Sequence, residues 1–477
     1  MIPPLLFYQL LLVALVVLCC IIHVWWPDDP CVTPRIPRTP DPPRRQRSTA
    51  LKPFSGFLHK PLCEACEQDA TERPAASGSP PPLLLFTRGR RRTVDTRAHF
   101  CPDPDCAYYG RLGHGNLRAN GHPGGHPWRQ LQCVSCQGYF SETHGTIFHG
   151  KRSSPDLIVR VIACLAEGLG IRGTARVFEL DPHTVLQWLV EAAEQLTAFS
   201  AYFLHELHLQ QIQLDELYAV LSAVRDGDLS EAEAIERLSR SPHWVWTAID
   251  PESKLLLSVQ VGERTLAMAQ AMLHQITQLL APGCVPLFLS DGYAHYLTAI
   301  VTHFGRWVQP PRRQARGPAP KPRWMPRPGL LYAQVIKTTR RRRLVRVSHR
   351  VVFGTLEAVQ QVLAACGWQI QTAFVERLHL SLRQRVAAIG RRSATPCKHQ
   401  EGLGHQLALF QVYHNFVLPH ASLRQALAEP LPTNGTGSAK VWWPCTPAMA
   451  AGLTEHVWSL REVLRYRVPP WPQPAGV

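Results

Sequence analysis

The chain has 477 residues, 45% of them hydrophobic, which is enough for two or three domains with buried cores. It carries 51 Lys and Arg against 35 Asp and Glu, for a formal net charge of +16. This excess predicts a polyanionic partner, with nucleic acid first and an anionic membrane surface second. The 14 cysteines do not have the density of a secreted disulfide scaffold, which favours a reducing, cytoplasmic compartment.

A nearly unbroken apolar run extends from Leu5 to Trp26, within a first segment of residues 1–30. Its length matches the roughly 20 residues that a transmembrane helix needs. It has no positively charged leader and no small-residue cleavage site, so an uncleaved membrane anchor fits better than a signal peptide. The alternatives are a buried apolar helix and a translated stretch upstream of the true start.

Residues 31–95 are rich in Pro, Arg and Ser, a composition typical of a disordered linker. One Cys-x-x-Cys pair, Cys63 and Cys66, interrupts this segment. A single pair does not complete a tetrahedral zinc site, so the role of these two cysteines stays open.

Two close cysteine pairs follow the linker. Cys101 and Cys106 form the first, and Cys133 and Cys136 form the second after a hairpin-sized segment. Four thiolates in this spacing predict a zinc ribbon over residues 96–150, in which Zn²⁺ serves folding. Three histidines between the pairs are alternative ligands: His114, His122 and His126.

The stretch 151–200 has helical periodicity and two helix-start signals. Ser154 with Pro155 can begin one helix, and Asp181 with Pro182 can begin another, with a short helix between them. This order predicts a helix-turn-helix DNA-binding domain, with a plain helical hairpin as the alternative. The residues expected to face the major groove are His183, Thr184 and Gln187.

Three carboxylates further along the chain are candidates for one common site. Asp215 ends an apolar run from Gln210 to Leu214, Asp291 ends a similar run, and both runs have the pattern of strands. Glu376 lies in an apolar-periodic stretch from Leu356 to Ile389, predicted as one or two helices. Taken alone, an Asp at a strand end is also ordinary turn chemistry.

An all-oxygen pocket suits a hard divalent cation such as Mg²⁺ or Mn²⁺. Two such ions can support in-line displacement at a phosphodiester. Arg383 lies two helical turns after Glu376 on the same face, where its guanidinium can hold a phosphate.

The order of predicted elements over 205–425 is three strands, a helix, the strand of Asp291, a helix, and later the helix of Glu376. This order predicts an α/β fold with a ribonuclease H-like mixed sheet and helices on its faces. Trp244 to Ile249 and Leu255 to Val261 are predicted as a hairpin, and Thr265 to Leu280 as a helix. The charged segment Asp226 to Arg240 is predicted as a surface insertion.

Residues 305–353 form a strongly basic insertion. A proline-rich loop within it carries five basic residues: Arg312, Arg313, Arg316, Lys321 and Arg323. A two-stranded ribbon from Leu331 to Phe353 carries four consecutive arginines: Arg340, Arg341, Arg342 and Arg343. Such a run is usually a solvated surface, but beside an acidic centre it favours contact with the DNA backbone. The tail 426–477 is rich in Pro, and its predicted helix from Thr446 to Arg465 is a candidate dimerisation element.

The run from Val375 to Ser393, with Glu376, Arg383 and Ile389-Gly390-Arg391-Arg392-Ser393, resembles the C-terminal catalytic signature of bacterial DDE insertion-element transposases. The closest resemblance is to the insertion-sequence-one family and its relatives. Leu214-Asp215-Glu216 and Ser290-Asp291-Gly292 resemble that family's first two acidic motifs, and the cysteine pairs and helical stretch resemble its N-terminal order.

This resemblance implies a DNA transposase that acts as a homo-oligomer on DNA, cleaving and joining strands. It implies Asp215, Asp291 and Glu376 as ligands of Mg²⁺ or Mn²⁺ and Arg383 as the phosphate contact. An Asn commonly follows the family's glutamate, where this chain has Leu378 and His379. The alternatives are a membrane-tethered, zinc-containing DNA-binding regulator with an inert catalytic domain, and a nuclease without strand transfer.

Overall fold

The structure is a computed structural model that describes residues 94–123, 128–219, 243–312, 320–341, 343–390, 397–432 and 438–470. The apolar run from Leu5 to Trp26, the Cys63 and Cys66 pair and the charged segment 226–240 lie outside these residues. Within the described ranges, no helix is both long enough and apolar enough to span a bilayer.

A small antiparallel sheet surrounds the four cysteines of the predicted zinc ribbon. Its strands, in spatial order, are β1 (Leu117–Ala119), β2 (Gln130–Cys133) and β3 (Tyr139–Ser141). Leu131 and Phe140 pack with Cys101, Cys106 and Cys133 in one buried cluster. Between the two cysteine pairs, β1 and β2 pair as antiparallel strands.

Three helices follow: α1 (Pro155–Ala166), α2 (Ile171–Phe178) and α3 (Pro182–Phe203). The Ser154 side chain accepts a hydrogen bond from the Leu157 amide, and Asp181 accepts one from the His183 amide, so both predicted caps are confirmed. Glu179 ends α2 in the left-handed region with φ of 53°, which turns the chain into α3. The C-terminal half of α3 is buried in the largest hydrophobic cluster, where it packs on neighbouring helices.

The main body contains eight strands: β4 (Gln211–Tyr218), β5 (His243–Ile249), β6 (Leu256–Glu263), β7 (Leu287–Ser290), β8 (Gly305–Val308), β9 (Arg323–Pro326), β10 (Tyr332–Arg340) and β11 (Arg343–Phe353). Six of them form one sheet in the order β11-β10-β7-β4-β5-β6, and β8 pairs with β9 as a separate ribbon. The β4/β7 and β7/β10 pairs are parallel, and the other pairs are antiparallel. This mixed α/β architecture is compatible with a ribonuclease H-like fold.

Helices cover both faces of the sheet. They are α4 (Leu266–Leu279), α5 (Ala294–Phe304), α6 (Leu356–Ala364), α7 (Ala373–Arg385) and α8 (Gln400–Val412). Ile212 and Leu214 of β4 pack in the cluster that contains α3, α4 and α5, whereas Leu217 packs with α7 and α8. This alternation is the two-residue period of a strand buried on both faces.

Two predicted boundaries were wrong. The first strand does not end at Leu214, because its backbone ladder with β5 continues from Asp215 to Tyr218. The tail does not form one helix from Thr446 to Arg465: it forms β12 (Gln425–Leu431) and β13 (Lys440–Trp443), then two short helices, α9 (Pro447–Ala450) and α10 (Leu460–Arg465). Gly452, with φ of 73°, breaks the helical path after α9.

Candidate active site and metal centres

The register of β4 and β7 brings two of the predicted acids together. Leu214 lies opposite Ser290 in the parallel pair, so Asp215 and Asp291 each come one residue after the same pair. Asp291 is the first residue after β7, where its Oδ1 accepts a hydrogen bond from the Tyr293 amide at 2.9 Å. Asp215 lies within β4 and Asp291 directly follows β7, so the parallel register places the two carboxylates side by side.

Glu216 is a further acid beside these two, and the site predicted from the sequence did not include it. One carboxylate oxygen each from Asp215, Glu216 and Asp291 lie within 4.8 Å of one another. Glu216 is itself buried. Glu216 directly follows Asp215 in the sequence, which could have suggested a shared site. Adjacent residues of a strand normally point to opposite faces, however, so the sequence argued against it. These three residues could hold a metal ion.

Glu376 lies across the same pocket but is bound by other groups. The pocket has a volume of about 450 Å³, and Asp215, Asp291 and Glu376 all line it. The Glu376 carboxylate forms an ion pair with Lys337 Nζ and accepts a hydrogen bond from Thr372 Oγ1 at 2.7 Å. The fold thus brings the third predicted acid to the pocket, where a lysine holds it.

Burial, together with the repulsion between neighbouring acids, changes the protonation of Asp215 and Glu216. Burial, and then the negative charge of Asp291, raises the pKa of Asp215 to about 7. The same two causes raise the pKa of Glu216 to about 7. For Glu376, burial acts to raise the pKa, but the hydrogen bonds from Lys337 and Thr372 leave it below its ordinary value. The pocket therefore favours a proton or a cation beside Asp215 and Glu216.

Arg264 supplies a fixed positive charge at the rim of the pocket. Its Nη2 lies 3.4 Å from Glu216 Oε2 and 3.8 Å from Asp291 Oδ2. The guanidinium also lies over the rings of Tyr293 and Trp244, at 4.2 Å and 4.9 Å from their centroids. Two aromatic contacts hold this side chain in place, and no pattern in the sequence indicated it.

His379 lies beside Asp215 and contacts Thr247. Its Nδ1 lies 3.6 Å from Asp215 Oδ2, and its Nε2 lies 2.8 Å from Thr247 Oγ1. The Thr247 hydroxyl donates its one proton to the Asp215 carbonyl oxygen, so His379 Nε2 donates to Thr247. Burial, and then the charge of Arg383, lowers the pKa of His379 to about 4, so the ring is neutral at pH 7. His379 comes three residues after Glu376, one helical turn on, and this spacing could have identified it from the sequence.

Arg383 lies in the last turn of α7 and is half-buried. Its charge acts on His379, as the lowered pKa of that ring indicates, but the side chain does not line the pocket between Asp215 and Asp291. The predicted phosphate contact therefore lies beside the pocket and not within it.

The four predicted zinc ligands converge. Cys101 Sγ lies 3.6 Å from Cys136 Sγ, and Cys106 Sγ lies 3.8 Å from Cys133 Sγ. All four sulfur atoms lie within 4.8 Å of one another, so they could hold a metal ion. Burial acts to raise the pKa of Cys133, but donors that include the Cys136 amide and Asn116 lower it to about 7.

The predicted DNA-facing residues lie at the surface. His183 and Gln187 are exposed on the first turns of α3 and Thr184 is partly exposed, while the Gln187 amide donates to Glu191 at 2.9 Å. Arg340, Arg341 and Arg343 are exposed at the turn between β10 and β11. Arg342 lies outside the described residues. The sheet part of β10 is buried from Tyr332 to Val335, whereas Lys337 to Arg340 are exposed, so the strands leave the sheet as a basic arm.

No protein-family profile matches the sequence, and no curated protein sequence matches it. Among solved structures, the crystal structure of the Mos1 strand transfer complex is similar in part, with 12% identity over 51% of this chain and 81% of that chain. Its TM-score is 0.14. This value is too low to support a conclusion about fold or chemistry, which therefore follow from the geometry of the chain.

Proposed function

We propose that the chain is a divalent-metal-dependent polynucleotidyl transferase, a DNA transposase related to the insertion-sequence-one group. It would bind the ends of an insertion element and catalyse strand cleavage and strand transfer. The observation that carries the proposal is the β4/β7 register, which sets Asp215 beside Asp291 and across one pocket from Glu376. A basic arm next to an acidic pocket supports a nucleic-acid substrate over a small phosphate ester.

The donor set fits Mg²⁺ or Mn²⁺. Asp215, Asp291 and Glu376 are the proposed ligands, and Glu216 is placed to join them. The raised pKa values of Asp215 and Glu216 support this assignment, because a cation would relieve the same crowding that a proton relieves. When bound, the ions would activate the attacking water or 3′-hydroxyl and stabilise the leaving oxygen.

The protein residues have separate tasks in this reaction. His379 supports the Asp215 backbone carbonyl through Thr247, and Arg264 offsets the charge of Glu216. As a ligand, Glu376 would give up its contact with Lys337, and the lysine would then be available to contact a phosphate of the substrate. Arg383, beside the pocket, contacts the DNA backbone further along the strand.

The four-cysteine cluster fits Zn²⁺. A tetrahedron with Zn–S bonds of about 2.3 Å has S···S edges of about 3.8 Å. The two measured pairs, at 3.6 Å and 3.8 Å, are close to this value. The ion would fold the zinc ribbon and take no part in the reaction.

DNA recognition is proposed for two regions. His183, Thr184 and Gln187 on α3 would read the major groove as part of a helix-turn-helix. The arginines 340–343 would contact phosphates near the acidic pocket. A homo-oligomer on DNA would let two such units join both ends of one element.

The test is cleavage of labelled DNA carrying the gene's own flanking ends by the full chain, with Mg²⁺ or Mn²⁺. Asp215→Asn and Asp291→Asn should abolish nicking and leave DNA affinity nearly unchanged, because both side chains act on the metal. Glu263→Gln is the matched control, since Glu263 is an exposed carboxylate at the end of β6. Nicking that survives in both Asn variants would disprove this site.

One observation favours a second function, a DNA-binding regulator with an inert catalytic domain. The ion pair with Lys337 satisfies Glu376, the third acid, without a metal ion. Tight and specific DNA binding, with no nicking under either metal, would support this regulator.

A further inference from the structure

The β8–β9 ribbon, which lies outside the main sheet between α5 and β10, exposes two tryptophans. Trp307 and Trp324 are cross-strand partners with ring centroids 5.5 Å apart. They are 59% and 41% exposed, whereas Trp188, Trp246 and Trp458 are buried. Tryptophan carries a large apolar surface and is highly buried on average. An exposed pair on one ribbon is therefore a candidate binding surface.

The charge of the ribbon indicates which class of molecule it binds. Its described residues, 305–312 and 320–327, contain no Asp or Glu but five basic residues: Arg306, Arg312, Lys321, Arg323 and Arg327. A ribbon with cations and no carboxylate is complementary to a polyanion. Aromatic rings flanked by cations match single-stranded nucleic acid, whose bases stack on the rings while its phosphates contact the cations.

We propose that the β8–β9 ribbon binds unpaired nucleotides, with Trp307 and Trp324 stacking on bases and Arg306 and Arg323 contacting phosphates. Helix α5 has 11 residues and separates Asp291 from the ribbon. Its length is about 16 Å, so the ribbon binds the strand away from the reacting phosphate. The proposal extends the proposed function but does not depend on its chemistry.

The experiment measures binding without catalysis. The Asp215→Asn chain, without added divalent cation, is titrated by fluorescence anisotropy into labelled oligothymidylate and into a mixed-sequence duplex. Replacing Trp307 and Trp324 together by Ala should weaken oligothymidylate binding at least about tenfold and change duplex binding less than about twofold, because only unpaired bases offer their faces.

Three controls make this result specific. Replacing both tryptophans by Phe should keep most of the single-strand affinity, since Phe also stacks. Arg306→Gln should reduce the salt dependence of binding to both DNAs. Replacing Trp442 and Trp443, the exposed tryptophans of the β12–β13 ribbon, by Ala should leave the ratio of single-strand to duplex affinity unchanged. Equal losses on both DNAs, or loss of self-association in the Ala variant, would overturn the proposal.

A different observation concerns Arg467, which lies against the four-cysteine cluster. The residue is 4% exposed, and its guanidinium lies 4.0 Å from the Phe100 ring centroid and 4.8 Å from that of Phe140. Nη1 donates to the Phe100 carbonyl oxygen at 2.7 Å, next to Cys101. Among the described residues no carboxylate forms an ion pair with Arg467, and its buried Nε has no hydrogen-bond partner.

A buried cation needs a counter-charge. Four thiolates around one divalent ion carry a net charge of about −2, which would supply it. Burial lowers the pKa of Arg467 to about 10, while the nearby Cys101 acts in the opposite direction. We infer that Arg467 is a positioning residue for the tetrathiolate site and couples metal loading to the segment after α10. This inference rests on the proposed Zn²⁺ assignment.

The test follows zinc release from the full chain to a chromogenic chelator. Arg467→Met should release zinc about tenfold to a hundredfold faster, the usual effect of losing a residue that supports metal ligands, and Arg467→Lys should restore much of the retention because it keeps the charge. Arg461→Met is the matched control, since Arg461 lies on α10 in a partly exposed ion pair with Asp156.

The possible outcomes distinguish the zinc assignment of the four cysteines from the role of Arg467. A wild-type chain without zinc would overturn the metal assignment and this inference together. Normal zinc content with unchanged release from Arg467→Met would overturn the role of Arg467 alone. If the Met variant does not fold, equal release from Arg467→Lys and Arg467→Gln would overturn it.

Discussion

At the scale of single residues, the pocket is defined by an excess of negative charge at one sheet edge. Asp215, Glu216 and Asp291 bring oxygens within 4.8 Å, and Arg264 forms ion pairs with Glu216 and Asp291. Glu376 is satisfied separately by Lys337. This division predicts that the first three carboxylates dominate metal affinity and that Glu376 joins on binding.

A substitution of Glu216 tests whether this residue, which only the structure placed beside Asp215 and Asp291, binds the metal ion. Glu216→Gln should raise the dissociation constant for Mn²⁺ about tenfold, measured by isothermal titration calorimetry, because one charged oxygen donor becomes neutral. Glu263→Gln, at the exposed end of β6, should bind Mn²⁺ as the wild type does. An unchanged constant in the Glu216 variant would make this residue structural.

The raised pKa values predict a pH-dependent stability. Asp215 and Glu216 have ordinary values of 3.8 and 4.5 and folded values of about 7. The folded chain therefore binds more protons than the unfolded chain between about pH 4 and 7, so their contribution to the free energy of unfolding falls as pH rises through this window.

Thermal denaturation checks this sign. Asp215→Asn should raise the melting temperature at about pH 8 without metal, since it removes a crowded charge, and should have a smaller effect at about pH 5. Mg²⁺ should stabilise the wild type more at the higher pH. If Asp215→Asn melts at a lower temperature than the wild type at the higher pH, the ionised Asp215 carboxylate does not destabilise the folded chain.

At the scale of elements, the predicted strands and helices of the sheet formed with small boundary shifts. The hairpin of β5 and β6, the ribbon of β10 and β11, and the two helices between Leu356 and Ile389 are confirmed. Periodicity located them because each element buries a regular stripe. It did not place the end of β4, because that strand is extended by hydrogen bonds to β5, a partner distant in the sequence.

Gly168 joins two elements through a close contact. It follows α1 with φ of 93°, and a Cβ there would lie 2.5 Å from the Gln384 carbonyl oxygen at the end of α7. Gly168→Ala should therefore lower the free energy of unfolding by roughly 2 kcal/mol or more, measured with urea. Gly404→Ala, in α8 with no heavy atom within 4 Å of the added Cβ, should instead raise it by up to about 1 kcal/mol. Equal effects would disprove the contact.

At the scale of the whole molecule, the formal charge of +16 coexists with an acidic pocket. The described part of the basic arm, which includes Arg340, Arg341 and Arg343, lies beyond that pocket along β10. This separation allows the arm to attract a polyanion while the arginines of the arm stay outside the lining of the pocket.

Salt dependence measures how the arm contributes. Replacing Arg340 or Arg343 by Ala should reduce the slope of log affinity against log salt by about 1 for each phosphate that the variant no longer neutralises. The change should be similar for all DNA sequences, whereas His183→Ala or Gln187→Ala should act mainly on the preferred ends. An arginine variant with an unchanged slope would show that the arm does not bind phosphates.

The sequence by itself determined what depends on near neighbours: the helix caps at Ser154 and Asp181, the strand periodicity, and the cysteine spacing. The tertiary structure alone decided the β4/β7 register, the entry of Glu216 into the acidic group, the Lys337 contact to Glu376, and the burial of Arg467 beside the cysteines. The physical reason is distance along the chain. These contacts join residues on separate elements, and their geometry depends on how whole elements pack, which no local pattern records.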